Sequence, residues 1–120
     1  MIEFECKVSN VEALRVPGIN RYHLFCKESE IVAELPEQVY RLNIDDMIVL
    51  SILTDKEKCI ENDFCGQGYV VTSTKINNVH RIILSMGGLL IVIKVKPGSD
   101  VIDKLKVVEK YYIGIKRLTK

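Results

Sequence analysis

Along most of the chain, apolar residues alternate with polar ones, and the alternating runs are rich in Val, Ile, Tyr and Phe. Alternation with that composition marks half-buried strands. It predicts strands over residues 4–8 (continuing through 11–14), 22–27, 31–34, 38–42 and 47–53, then over 68–76, 81–96 and 110–118. Turn chemistry separates the runs: Pro17-Gly18, Pro36, Asn43 to Asp46, Asn77-Asn78 and Pro97-Gly98. Residues 54–63 are the most polar stretch and are expected to form an exposed loop between two halves. One helix is predicted near the C-terminus. Asp100 would cap it, Asp103 sits in its first turn, and Val101, Ile102, Leu105 and Val108 recur at helical spacing. Its β-branched residues make that helix dependent on packing.

Many short antiparallel strands with one small helix predict an all-β fold, mainly antiparallel, closed or nearly closed into a barrel of the oligonucleotide-binding type. Periodicity alone leaves a sandwich open. No repeat of fixed period is visible, and 120 residues suit a single β-barrel domain over residues 1–120. With 48% hydrophobic and 28% charged residues the chain has the make-up of a folded globular protein, which excludes disorder. The N-terminus is acidic and lacks the basic start of a signal peptide. The longest apolar run, residues 89–93, falls far short of the roughly 20 residues that cross a bilayer as a helix. A cytoplasmic protein with no membrane partner is expected. In that setting Cys6, Cys26, Cys59 and Cys65 are expected as free thiols, the first two as small apolar strand residues.

Candidate chemistry changes this picture little. Asp45-Asp46 and Asp100 with Asp103 fit turn and capping roles better than a magnesium site, and no Gly-rich phosphate loop is present. Cys59 and Cys65 are separated by five residues, outside the two to four common in structural zinc sites. A redox or metal role for that pair is the weakest of three function classes. His23 and His80 flank no nucleophile motif. No catalytic residue, cofactor, metal or small-molecule substrate is expected.

The sharpest local feature is Ser85-Met86-Gly87-Gly88-Leu89-Leu90, a glycine pair inside an apolar run. Adjacent glycines weaken a strand, so they predict a bulge or kink that turns a barrel corner, with close approach of a partner's backbone as the functional alternative. The hexapeptide resembles the Ser-Phe-Gly-Gly-Leu-Leu signature of the RNA polymerase subunit 8 family, shared by eukaryotes and archaea, with Met86 in place of Phe. Residues 69–75 resemble the strand before that signature, and Tyr111 to Arg117 resemble the family's closing strand. The first half matches more loosely, through residues 4–11, Pro17-Gly18, Arg21-Tyr22 and 47–53. The short stretch 54–64 points to the archaeal branch, because eukaryotic members carry a longer acidic insertion. The resemblance implies a barrel docked on the outside of the polymerase's largest subunit, near the secondary-channel side, with a role in assembly rather than in catalysis.

Surface composition bears on the partner. Residues 1–60 hold seven Lys/Arg and eleven Asp/Glu, a net of −4, whereas residues 61–120 hold ten and five, a net of +5. Such a dipole orients partners. Gly87, Gly88, Tyr112, Lys116 and Arg117 are the expected partner-binding residues, with Tyr111, Ile113 and Ile115 buried on the opposite face of their strand. The partner is expected to be the largest subunit and the assembled polymerase, with nucleic acid at most auxiliary. A stand-alone single-strand-binding barrel, stacking bases on Tyr22, Phe25, Tyr69, Tyr111 and Tyr112, is the second function class.

Overall fold

The computed structural model describes residues 1–118. Alternation holds along most of the strands: in β3 (Ser29–Pro36) Ile31, Ala33 and Leu35 point inward, and in β7 (Leu89–Val95) Ile91, Ile93 and Val95 do. The remaining strands are β1 (Ile2–Ala13), β2 (Ile19–Cys26), β4 (Met47–Leu53), β5 (Phe64–Ile76), β6 (Val79–Met86) and β8 (Lys110–Arg117). They close in the order β1-β2-β3-β7-β6-β5-β8-β4, and every neighbouring pair is antiparallel. The result is the expected all-β antiparallel barrel, consistent with the oligonucleotide-binding type.

Strands β1 to β4 form one Greek key in the spatial order 4-1-2-3, and β5 to β8 form another. The two meet at two seams, β3 with β7 and β4 with β8. At the first seam Ile31 faces Ile93 and Ala33 faces Ile91, so a shift of 60 residues maps one pair onto the other. At the second, Leu50 faces Ile115 and Ile52 faces Ile113, related by a shift of 63. A bulge interrupts β1 between Val8 and Asn10 and β5 between Val70 and Thr72. The barrel therefore has a pseudo-twofold axis that sequence spacing alone did not reveal. Buried Leu42 and Leu105, again 63 apart, precede β4 and β8 and both pack into the core.

Several expectations change. Residues 38–42 form a turn and an extended link rather than a strand, since Pro36 ends the ladder and Val39 and Tyr40 donate back to its carbonyl at 3.0 Å. The polar stretch 54–63 contains a one-turn helix, α1 (Lys56–Cys59), because Asp55 Oδ1 accepts from Glu57 N at 2.9 Å as an N-cap. The C-terminal helix, α2 (Asp100–Lys104), is capped by Ser99 rather than Asp100. The Ser99 hydroxyl accepts from Val101 N at 3.3 Å. Val108 lies beyond it, and β8 ends at Arg117.

The run 81–96 is two strands, not one bent strand. Met86 pairs with Leu89 across Gly87-Gly88, whose φ values of 59° and 101° make the two-residue hairpin turn that follows the twist of its strands. Nor are the cysteines free. Cys6 and Cys26 sit opposite each other on β1 and β2 with both side chains inward, and they form a disulfide. Cys59 of α1 reaches Cys65 at the start of β5 and forms a second. Register and tertiary approach made these pairs, neither of which spacing displays.

Two outcomes follow from this geometry. Replacing Gly88 by Ala places a side chain at φ 101° and is expected to cost about 1 kcal/mol or more in urea unfolding, while Gly87→Asn is near neutral. Thiol titration of the denatured, unreduced chain should find no free thiol. Reduction should lower the melting temperature, chiefly through Cys6–Cys26, which closes a loop worth roughly 3 kcal/mol.

Candidate functional site

In β8 the side chains alternate between Tyr111, Ile113 and Ile115 in the core and Tyr112, Gly114 and Lys116 outside. Tyr111 is held at the barrel mouth. Its hydroxyl accepts from Lys106 N at 3.0 Å and donates to Lys104 O at 3.3 Å. Tyr112 lies outside, opposite Gln67 of β5 and Leu53 of β4, and Lys110 Nζ stands 5.6 Å from its ring centroid. Tyr69 of β5, 48% exposed, faces Lys110 on one side and Ser85 on the other. Two aromatic rings, Tyr69 exposed and Tyr112 half-buried, thus flank a lysine on the β5–β8 wall. Tyrosine rings of this kind are enriched in protein interfaces.

The Gly87-Gly88 turn belongs to the same neighbourhood. It follows Met86, which lies beside Gly68 across one strand spacing, and Gly68 pairs with Tyr111. Turn and Tyr112 are thus separated by the width of β5, roughly 10 Å at the usual strand spacing. Lys116 is not part of that group. It stands four residues further along β8, and the outer face between it and Tyr112 is occupied.

The occupant is Asn62. A Cβ on Gly114 would meet the Asn62 amide nitrogen at 2.5 Å, so only glycine admits this contact. Asn62 Nδ2 in turn donates to Cys59 O at 3.0 Å and Lys58 O at 3.4 Å, which ties the end of α1 onto β8. Asp63 Oδ2 accepts from Arg117 N at 2.7 Å. The segment between the two Greek keys is therefore strapped over the β4–β8 seam, with its own Cys59 turned inward and Leu53 and Ser51 of β4 buried.

Arg117 falls on the alternation of Tyr111 and Ile115 but extends past the core. Its guanidinium pairs with Asp46 Oδ2 at 3.2 Å, donates to Arg41 O and stands 5.6 Å from the Tyr40 ring centroid. Tyr40 stacks at 5.9 Å on Phe64, and burial pushes its phenol up from the ordinary tyrosine range. Arg117 thus ties the 40–46 link to β8, at the other end of the strand from Tyr112.

Other candidates have local partners. Asp46 Oδ2 accepts from Asn43 N at 2.8 Å, closing its turn, and Asp100 pairs with Lys104 at 3.2 Å. His23 bonds Glu12, which holds that carboxyl below the usual carboxylate range. His80 Nε2 lies 2.7 Å from Ser73 Oγ. Among the described residues no three His, Cys, Asp or Glu side chains converge as a metal site.

The sequence reading missed Gly66 and Gly68. A Cβ on Gly66 would come within 2.7 Å of Met86 Sδ, and one on Gly68 within 2.8 Å of the Ser85 carbonyl and 3.1 Å of Met86 Cγ. Met86, the signature position, fills the space that two absent side chains leave. At the pseudo-equivalent place in the first half, the Cys6–Cys26 disulfide fills it instead. A Gly-x-Gly pair on one face of a strand was the available signal.

Comparison with known proteins follows the same lines. A family model for the RpbG subunits of DNA-directed RNA polymerase matches residues 1–118. The DNA-directed RNA polymerase subunit Rpo8 of Saccharolobus shibatae is 26% identical over 98% of this chain and 95% of that protein. Its counterpart in Saccharolobus solfataricus is 21% identical over 97% and 92%. A solved cytoplasmic molybdate-binding protein overlays with a TM-score of 0.40 at 17% identity, covering 96% of this chain and 89% of that one, too slight a likeness to support inference.

Substituting Gly68 by Ala is expected to destabilise the barrel by about 1–3 kcal/mol, because the facing Ser85 carbonyl is backbone and cannot step aside. Urea unfolding of the variant measures it, and Gly68→Ala with Met86→Ala should stay destabilised, since the carbonyl clash persists.

Proposed function

The chain belongs to the RpbG family of DNA-directed RNA polymerase subunits, and we propose that it docks on the largest subunit of that polymerase through the outer wall of β5 and β8. It is a non-catalytic structural subunit of DNA-directed RNA polymerase. No helix among the described residues is long and apolar enough to cross a membrane, and the polymerase it serves is taken to be cytoplasmic.

One observation carries the docking proposal: exposed Tyr69 and Lys110 and half-buried Tyr112 form an aromatic and cationic surface on the outer wall of the barrel. The Gly87-Gly88 turn borders it and, lacking side chains, admits a partner's backbone closely. Lys116 offers a separate charged contact beyond Asn62. Arg117 serves docking indirectly, by fixing the 40–46 link through Asp46 and Tyr40. Nucleic acid, if reached, is reached through the lysines as an auxiliary contact.

A tagged chain should co-elute with polymerase at salt concentrations that strip nonspecific nucleic acid. A photo-crosslinker at position 112 should capture the largest subunit. Tyr112→Ala together with Lys110→Ala should cut incorporation by about tenfold, the scale of a hot-spot loss, while the melting temperature stays near that of the parent. Cross-links to other subunits alone would overturn the docking assignment. Elution only as a free monomer, with oligonucleotide affinity that falls steeply with salt, would replace it with the single-strand-binding alternative.

A further inference from the structure

Barrel closure removes free sheet edges only where each strand has two neighbours. β8 accompanies β5 no further than Tyr69, and the last main-chain bonds on that side join Val70 to Val108 and Glu109. β6 continues beside β5 as far as Ile76. Among the described residues, 71–76 therefore have a partner strand on one side and none on the other.

The bonding direction along this edge follows from the turn. Ile76 and Val79 flank the two-residue turn Asn77-Asn78, both with positive φ, so that pair exchanges both of its hydrogen bonds. Bonded and non-bonded pairs alternate from there. Thr74 and Thr72 turn their main-chain groups toward β6. Lys75 and Ser73 turn theirs outward.

Proteins usually guard such an edge with proline, a very short strand or several charges. Here the sequence Val71-Thr72-Ser73-Thr74-Lys75-Ile76 has no proline, one charge and four β-branched residues. Val71 is 47% exposed and Ile76 51%. The pseudo-equivalent edge on β1, residues 9–13, is different. Val11 packs against the core and Glu12 bonds His23. Symmetry is broken at the head of the edge as well: Val108, 78% exposed, has φ 74°, a conformation unfavourable for a β-branched residue, where Asp45 occupies the matching position in the first half.

Charge identifies the occupant. Residues 64–99 contain no Asp or Glu, and Lys75, Arg81, Lys94 and Lys96 lie among them. Arg81 stands directly between Thr74 and Lys94 on the outer face. No ion pair involves any of these four among the described residues, and Arg81 Nε is shut from solvent without a hydrogen-bond partner. An edge that alternates outward N–H and C=O groups demands the same alternation from its ligand, which a peptide strand supplies and a nucleic-acid backbone does not.

We propose that residues 71–76 of β5 receive an extended acidic segment of another polymerase subunit as an added strand, with Val71 and Val108 flanking its apolar anchor. This rests on the chain being a polymerase subunit, and it continues the Tyr69–Tyr112 surface along the same strand. Main-chain bonds supply affinity in such strand addition, and the cations select the sequence.

Hydrogen exchange, read by mass spectrometry on the free chain and on nuclease-treated polymerase assembled with it, tests the proposal. Peptides covering residues 71–76 should slow by about tenfold or more on assembly, while those covering 9–13 change little. Lys75→Pro removes an outward N–H without breaking the β6 ladder. Its free form should melt within a few degrees of the parent and lose the protection. Should that variant fail to fold, Arg81→Glu with Lys94→Glu decides, and the same loss is expected. Unchanged exchange at 71–76 in assembled polymerase, or protection conferred equally by a single-stranded oligonucleotide, overturns the added strand and leaves the subunit assignment standing. Failure of the parent chain to assemble at all overturns that assignment instead.

Discussion

Everything else in this barrel depends on two seams. Each Greek key by itself is a four-stranded sheet with two bare edges, a form prone to pairing with any other strand. Pairing β3 with β7 and β4 with β8 consumes all four edges at once. The seam residues Ile31, Ile93, Leu50, Ile115, Ile52 and Ile113 are fully or almost fully buried, so closure and core formation are one event. A one-residue slip at either seam would turn these side chains outward. The bulges in β1 and β5 lie where each strand leaves one neighbour and continues beside the other, so each of these two strands ends in a segment paired on one side.

Much of this was legible from period and turn chemistry. Inward and outward faces of β8 follow directly from alternation, and the C-terminal helix falls within one residue of its expected start. What alternation leaves undetermined is which strand lies beside which. The glycine pair shows why. Inward positions are 82, 84 and 86 before it and 89, 91, 93 and 95 after it. A bulge and a two-residue turn both reverse that parity, so the pattern alone admits either. Length separates them: a 16-residue strand would span roughly 53 Å at the usual rise, beyond the 34 Å longest extent of the molecule. The disulfides were illegible for a related reason, since Cys6 and Cys26 meet through a register that no local spacing encodes. Compartment arguments favoured free thiols, although intracellular disulfides are common in some hyperthermophiles.

The candidate surface was only partly legible. Strand alternation exposed Tyr112 and Lys116 on one face, but Gly114 between them is the seat of Asn62, a contact set by a segment fifty residues away. Arg117, grouped with them by proximity in sequence, is turned to the other side by the same alternation and drawn into the Asp46 and Tyr40 cluster. Lys110 and Tyr69 complete the aromatic group, Tyr69 from a stretch whose sequence suggested base stacking rather than protein docking. Met86 over Gly66 and Gly68 gives the family signature a physical reason: the large residue before the turn needs two glycines beneath it.

The pseudo-twofold axis makes the asymmetries informative. Equivalent backbone positions experience equivalent folding demands, so a difference between the halves is not explained by the barrel itself. The first half mixes acids with bases and packs Val11 inward. The second carries no carboxylate between residues 64 and 99, leaves Val71 and Ile76 in solvent and keeps a strained Val108 where Asp45 shows an unstrained alternative. Each departure raises the free energy of the isolated chain or its tendency to associate. Val71 and Ile76 lie along β5, continuous with Tyr69, and Val108 bonds to that strand at Val70. A polymerase subunit can carry such features on a face that assembly buries, and that is the face on which the proposed added strand would lie.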